Sequence, residues 1–281
     1  MKRIFLAVAT VIASLSTLCA SAQNAGTAVC AHRGFWKCEA AGYSENTIAS
    51  LREAQNNDLW GSEFDIHLTA DDVVIVNHNR DIAGTTIWDH NYADFKDFRL
   101  PNGEGASTLD EYLTQGKKGP QTMLVCELKI QQNEEREDLL LFKTIDCLKK
   151  HGLYSPDKVM FISFSLHLCK EIARIAPEFT NQYLDGKIAP AELKEMGING
   201  IDYQIKQFKS HPEWVKEAHD LGMSVNVWTV NDEDTIQEMI DLGVDCITTN
   251  EPLLVRQLLG DKEIKRVAEK KGCGCGSSCC E

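Results

Sequence analysis

The chain is short of positive charge: 29 lysines and arginines stand against 42 aspartates and glutamates, a formal net charge of −13 over 281 residues. That balance excludes bulk attraction to nucleic acid or anionic lipid, so a phosphate-bearing ligand has to be handled locally. Long apolar runs are scarce too. The one present, residues 4–18, falls short of the roughly 20 residues a bilayer span needs, and no second run follows, which excludes stable membrane insertion. No glycine-rich turn follows the first strand-like run, which argues against a dinucleotide-binding open sheet. The His-x-His pair with which amidohydrolase-type metal barrels end their first strand is also missing; that position reads His32-Arg33-Gly34. Cysteine is plentiful, but 11 in this length are too dilute for a disulfide scaffold.

What is present begins with an export signal. Lys2 and Arg3, the apolar run and Ala20-Ser21-Ala22 describe a secretory signal peptide over residues 1–22, cut to leave Gln23 first and the protein periplasmic or secreted. Leu18 before Cys19 does not suit a lipidation site. At the other end residues 261–281 form a charged, then cysteine-rich tail, expected to be flexible, whose C-x-C-x₃-C-C spacing matches no standard zinc pattern. Cys38 is near enough in sequence to pair with Cys30, while Cys126, Cys147, Cys169 and Cys246 read as small buried thiols. Nothing in the sequence sets the oligomeric state.

Between these ends, over residues 23–260, short apolar runs alternate with helical patterns. Strand-like runs fall at 28–32, 62–66, 73–76, 123–130, 159–164, 181–184, 201–205, 224–230 and 246–249. Helices are expected over 213–221, led by Ser210, and 235–242, opened by Asp232 and closed by Gly243. This rhythm predicts an α/β fold with a parallel sheet, a (β/α)₈ TIM barrel. Residues 79–107 break it, with an insertion expected on the active-site face after the second-strand region. Its aromatics Trp88, Tyr92, Phe95 and Phe98 read as a small core of its own.

The chemistry gathers at strand ends. Side chains two apart on a strand point the same way, so Glu63 and Asp65 share one face and Glu127 and Lys129 another. In a barrel those faces meet inside, and three carboxylates together call for a cation. All-oxygen donors favour Mg²⁺ or Ca²⁺ over zinc. His32 and His78 are acid/base candidates because imidazole titrates near neutrality. Arg33 can grip a phosphate oxygen bidentately and Lys129 can add a point charge. The carboxylates carry −3 and the two basic groups +2, so the pocket is anionic without a divalent cation and +1 with one.

In these residues the sequence resembles the glycerophosphodiester phosphodiesterases. The motifs are His32-Arg33-Gly34, Ser44-Glu45-Asn46-Thr47, Glu63-Phe64-Asp65, His78, Glu127-Leu128-Lys129 and Trp228-Thr229-Val230-Asn231, spread from about Ala28 to Pro252. The resemblance implies a TIM barrel with one divalent cation that hydrolyses glycerophosphodiesters to sn-glycerol 3-phosphate and an alcohol. It implies Glu63, Asp65 and Glu127 as metal ligands and His32 and His78 as the acid/base pair. On the substrate side it implies Arg33 and Lys129 for the phosphate, Trp228 against the glycerol, and Glu45 and Asn46 in support of the first loop. Two positions depart from the family pattern: Asn79 follows His78 where Asp is usual, and Asn250 stands where Thr-Asp-x-Pro often has its Asp. A phosphodiesterase acting on phosphoinositide or sphingolipid head groups, and a barrel that binds phosphate esters without turning them over, are the alternatives. The two histidines argue against a pure binder.

Overall fold

A computed structural model describes residues 26–260. The signal peptide expected at residues 1–22 and the tail at 261–281 lie outside the described residues. The strands run in chain order as β1 (Ala28–Ala31), β2 (Gly61–Leu68), β3 (Val74–Val76), β4 (Asp81–Ile82), β5 (Thr85–Thr86) and β6 (Met123–Leu128). They continue as β7 (Val159–Ser163), β8 (Asn181–Tyr183), β9 (Gly200–Gln204), β10 (Ser224–Trp228) and β11 (Cys246–Thr249). All but β3, β4 and β5 pair in parallel, and β1 pairs with both β2 and β11, so the sheet closes on itself. The expected (β/α)₈ barrel is therefore present.

The helices are α1 (Ile48–Asn56), α2 (Leu109–Gly116), α3 (Glu134–His151), α4 (Leu166–Ile175), α5 (Pro190–Glu195), α6 (Ile205–Ser210), α7 (Glu213–Asp220), α8 (Glu233–Leu242) and α9 (Pro252–Leu258). None of these helices is long and apolar enough to cross a membrane. The cap expected on α8 forms: Asp232 accepts from the Thr235 amide, and Gly243 closes the helix in the left-handed region at φ 84°. The cap expected at Ser210 does not form. Ser210 ends α6, its hydroxyl donating back to the Lys206 carbonyl, and α7 starts at Glu213 after Pro212 without a side-chain cap.

Strand periodicity sorts the side chains. Phe64, Ile66, Cys126 and Leu128 point outward into the helix-packed core, whereas Val125 of β6 and Cys30 of β1 join Met160, Ile162, Leu184 and Cys246 inside the barrel. The six cysteines of the body are free, so Cys30 and Cys38 are unpaired, and Cys147 is half-buried rather than buried.

The run expected at 73–76 is not a barrel stave. As β3 it folds back antiparallel on β2, Ile66 opposite Val76 and Leu68 opposite Val74. Only a tight turn joins the two, with the Thr69 amide donating to the Val73 carbonyl and Asp72 at φ 63°; a parallel crossover needs a dozen residues or more. Beyond β3 the insertion forms a hairpin and two 3₁₀ turns around Ile82, Ile87, Phe95 and Ala106, with Trp88, Tyr92 and Phe98 packed against them. It is tied to the first barrel loop. The Glu104 carboxylate accepts from the Ile48 and Ala49 amides at 2.9 and 3.0 Å, where the α1 N-terminus favours negative charge.

Candidate active site

The strand ends of β1, β2 and β6 build the first wall of a cavity of about 120 Å³, lined there by His32, Arg33, Glu63, Glu127 and Lys129. His78 joins them from the loop after β3, and Trp228 from the end of β10. Asp65 lies just behind. One oxygen from each of Glu63, Asp65 and Glu127 falls within 4.8 Å of the others, and all three residues are buried.

Such a cluster cannot be fully ionised by itself. Burial, then the charges of Asp65 and Glu127, push the Glu63 carboxyl well above its ordinary range. Burial lifts Glu127 to about 8 against the pull of Lys129. Burial would also raise Asp65, but Lys129, His78 and the hydrogen bonds from Lys129 and Asn46 outweigh it and hold it well below the usual range. Lys129 bridges Asp65 and Glu127 at 2.7 Å to each, and those charges keep its ammonium high in spite of burial. The Glu63 carboxylate accepts the Arg33 amide at 2.7 Å through Oε2, while Oε1 is buried with no hydrogen-bond partner. A buried acceptor left open beside two further carboxylates fits an oxygen-coordinated divalent cation.

Glu45 and Asn46 do not line the cavity; they hold residues that do or that support it. Glu45 pairs with Arg33 Nη1 at 2.8 Å. Asn46 brackets Asp65, donating through Nδ2 to Oδ2 at 2.8 Å and accepting the Asp65 amide through Oδ1 at 3.1 Å. The loop pays in backbone conformation, since Arg33 (φ 57°), Gly34 (φ 77°) and Asn46 (φ 54°) are all left-handed. A Cβ on Gly34 would stand 2.3 Å from Ser50 Oγ and 2.8 Å from the Ser50 backbone carbon. Gly34→Ala is thus expected to cost at least about 1–2 kcal/mol from φ alone, a melting point lower by roughly 2–8 °C. A thermal melt measures it, and an unchanged melting point would contradict the packing.

Both histidines are backed by asparagine. His32 Nδ1 lies 2.9 Å from Asn250 Oδ1, and that oxygen also accepts Trp36 Nε1 at 3.1 Å. The indole only donates, so the Asn250 oxygen must face it, and an amide oxygen only accepts, so His32 Nδ1 carries the proton. Its Nε2 lone pair is left free. Burial, then Arg33, lowers His32 to about 4 despite the Asn250 contact. His78 Nδ1 lies 3.0 Å from Asn79 Oδ1, and its pKa too is lowered, by burial first and by Lys129 and Arg33, with Asp65 opposing. The buried His67, whose Nε2 lies 3.3 Å from the His78 carbonyl, steadies that loop. Asn250, Trp36 and His67 were not singled out in the sequence as working with the histidines.

The family model described as the glycerophosphoryl diester phosphodiesterase family matches residues 32–254, most of the chain. The chain belongs to that family. This glycerophosphoryl diester phosphodiesterase family member is by class a phosphoric diester hydrolase. A glycerophosphodiester phosphodiesterase from Caldanaerobacter subterraneus subsp. tengcongensis is 27% identical over 243 residues, 80% of this chain and 95% of that protein. One from Bacillus subtilis is 27% identical over 262 residues, 81% of this chain and 85% of that protein. Among solved structures, a glycerophosphodiester phosphodiesterase from Parabacteroides distasonis superposes with a TM-score of 0.81 at 43% identity, covering 84% of this chain and 98% of the other. An Oleispira antarctica phosphodiesterase, solved in complex with the product sn-glycerol-3-phosphate, shares the fold with a TM-score of 0.71 at 21% identity, over 83% and 96% of the two chains.

Proposed function

We propose that the chain hydrolyses glycerophosphodiesters to sn-glycerol 3-phosphate and an alcohol, using His32 and His78 for proton transfer and one divalent cation, Mg²⁺ or Ca²⁺, held by Glu63, Asp65 and Glu127. The observation that carries this reading is the convergence at one cavity of two imidazoles, a guanidinium and a buried cluster of three carboxyl groups, one with an open acceptor. The sn-glycerol-3-phosphate bound in the Oleispira antarctica structure supports the choice of substrate. When bound, the cation supplies charge neutralisation of the phosphoryl oxygens and relieves the carboxylate repulsion.

The protein's own groups account for the rest. Arg33, held by Glu45, grips a phosphoryl oxygen. Lys129 keeps Asp65 and Glu127 in place and adds positive charge at the cavity wall. His32, with Nδ1–H fixed and Nε2 open, takes the proton of the attacking hydroxyl. His78, half-buried in the same cavity, gives a proton to the departing alkoxide from its protonated form. Trp228 offers its face to the glycerol. A neutral phosphate-ester binder would have no use for this proton-transfer pair.

The test is a coupled assay for glycerol 3-phosphate release from a panel of glycerophosphodiesters, with and without chelator. Release in the presence of metal is expected. Turnover confined to phosphoinositide or sphingolipid substrates would overturn the substrate class. Export belongs to the same proposal: protein recovered outside the cytoplasm is expected to begin at Gln23, and N-terminal sequencing that returns Met1 would refute it.

A further inference from the structure

The cavity has a second wall that phosphate chemistry leaves unused. Opposite the carboxylates stand Ile162, Phe164, Leu184 and Trp228, and among these apolar groups are two polar ones, Asp202 and Thr248. Asp202 is 1% exposed and Thr248 3%. Asp202 Oδ1 and Thr248 Oγ1 are both buried without a hydrogen-bond partner, although they line an open cavity. The Asp202 backbone carbonyl accepts Trp228 Nε1 at 2.9 Å, which fixes the indole beside the acid, and Trp228 in turn meets Phe164 edge-on at 5.6 Å.

We propose that Asp202 and Thr248 form a hydroxyl-reading floor for the glycerol arm of the substrate, and that Asp202 is a specificity-determining residue. This rests on the proposed glycerophosphodiesterase reading. Burial alone lifts the Asp202 carboxyl to about 8, so at neutral pH it is an uncharged acid. An uncharged acid does not repel a phosphodiester, whereas a carboxylate would. It donates from one oxygen and accepts at the other, and an alcohol hydroxyl does the same in reverse. Thr248 adds another such group. The Trp228 face between them covers the carbon skeleton, so the wall matches a small polyol in both polarity and shape. A competing account has Asp202 sharing a buried water with Asn226, its register partner on β10, whose Nδ2 is also unpartnered. That account makes the acid structural.

Full-length protein with saturating Mg²⁺ or Ca²⁺ separates the two. Wild type, Asp202→Asn and Asp202→Leu are compared on glycerophosphocholine, glycerophosphoglycerol and bis(p-nitrophenyl) phosphate, a diester with no glycerol. Asp202→Leu is expected to lose about 10–100-fold in kcat/KM on both glycerol diesters, and less than threefold on the aryl diester. Asp202→Asn, which still donates and accepts, is expected to stay within about fivefold. In parallel, calorimetry compares sn-glycerol 3-phosphate with ethyl phosphate. Wild type is expected to prefer the glycerol ester at least about tenfold, and Asp202→Leu to erase the preference. The thermal stability of Asp202→Leu is expected to be unchanged or raised, because an unanswered buried acid gives way to an apolar side chain.

Equal losses on all three diesters, or a destabilised Leu variant with its discrimination intact, would overturn the proposal in favour of the structural acid. Loss on glycerophosphocholine alone, with Asn as damaging as Leu, would assign the acid to a cationic head group instead. If wild type releases no glycerol 3-phosphate but the calorimetric preference falls in Asp202→Leu, the catalytic reading fails and the hydroxyl floor stands.

Discussion

Replacing His32 by alanine is expected to lower kcat for glycerol 3-phosphate release by about 10²–10⁴-fold, the span that one positioned proton-transfer group accounts for. Metal affinity should be unchanged, because His32 is no part of the carboxylate cluster. The pH dependence makes the test specific. A base acts only when unprotonated, and His32 is lowered from 6.5 to about 4. In saturating metal, the acid limb of kcat/KM is therefore expected near pH 4 rather than near 6.5. Asn250→Asp puts a carboxylate against Nδ1 in place of a neutral oxygen and is expected to move that limb up by about 1–3 pH units. The tautomer is kept, since Asp still accepts from Nδ1 and from Trp36. Stability follows the same group. A depressed imidazole favours the folded state fully above pH 6.5, and that contribution is lost as pH falls toward 4, about 3 kcal/mol over the window. His32→Ala should be less acid-sensitive over that window, measured by denaturant unfolding at each pH. A variant with near-normal turnover, or an acid limb that ignores Asn250→Asp, would remove His32 from the base role.

Exhaustive chelation is expected to abolish turnover, and Glu63→Gln to weaken cation binding by at least about 10–100-fold, as loss of even a supporting group does at metal sites. The substitution is nearly isosteric, and the glutamine oxygen can still accept the Arg33 amide. Binding should also depend on pH in a definite sense. Glu63 lies well above its ordinary range and Glu127 at about 8, so near neutrality a cation must displace protons. Affinity is expected to climb with pH through neutrality to at least about 8, with protons released on binding. At a hundred times the dissociation constant, the cation adds about 2.7 kcal/mol to stability, or roughly 5–10 °C in melting temperature. Titrating Mg²⁺ and Ca²⁺ separately by thermal shift identifies the preferred ion. Turnover that survives chelation, or a melting curve indifferent to both ions, would remove the cation from the mechanism.

The barrel and one side of its cavity were legible because their signals are local. Glu63 and Asp65 are two apart on one strand, so period two alone puts them on the same face, and Glu127 and Lys129 follow suit. Apolar strands alternating with capped helices leave few topologies open. The antiparallel return of β3 was hidden because four apolar residues look alike in either direction; the tight turn before them decides. Ser210 failed as a cap because α6 extends through it. Asn250 and Trp36 meet at His32 across more than 210 positions, a closeness that exists only once β11 has docked on β1. Asp202 reads as one more residue in an apolar strand until the register turns it inward. The departures from the family pattern at Asn79 and Asn250 were visible in sequence, but their contacts with the histidines were not.

The barrel divides its labour along the chain. Everything assigned to gripping and cleaving the phosphodiester, from His32 to Lys129, lies in its first half. The wall assigned to the glycerol, from Ile162 to Thr248, lies in its second. From the second half the Asn250 side chain reaches back to orient the His32 ring, and the Thr249 carbonyl accepts the His32 amide. The two halves are therefore separately exchangeable in principle. A chimera that takes its second half from a relative with different substrate preference should inherit that preference and keep the chemistry, provided residue 250 still presents an acceptor to His32. Selectivity in this barrel is modular, and the seam between β1 and β11 is the joint.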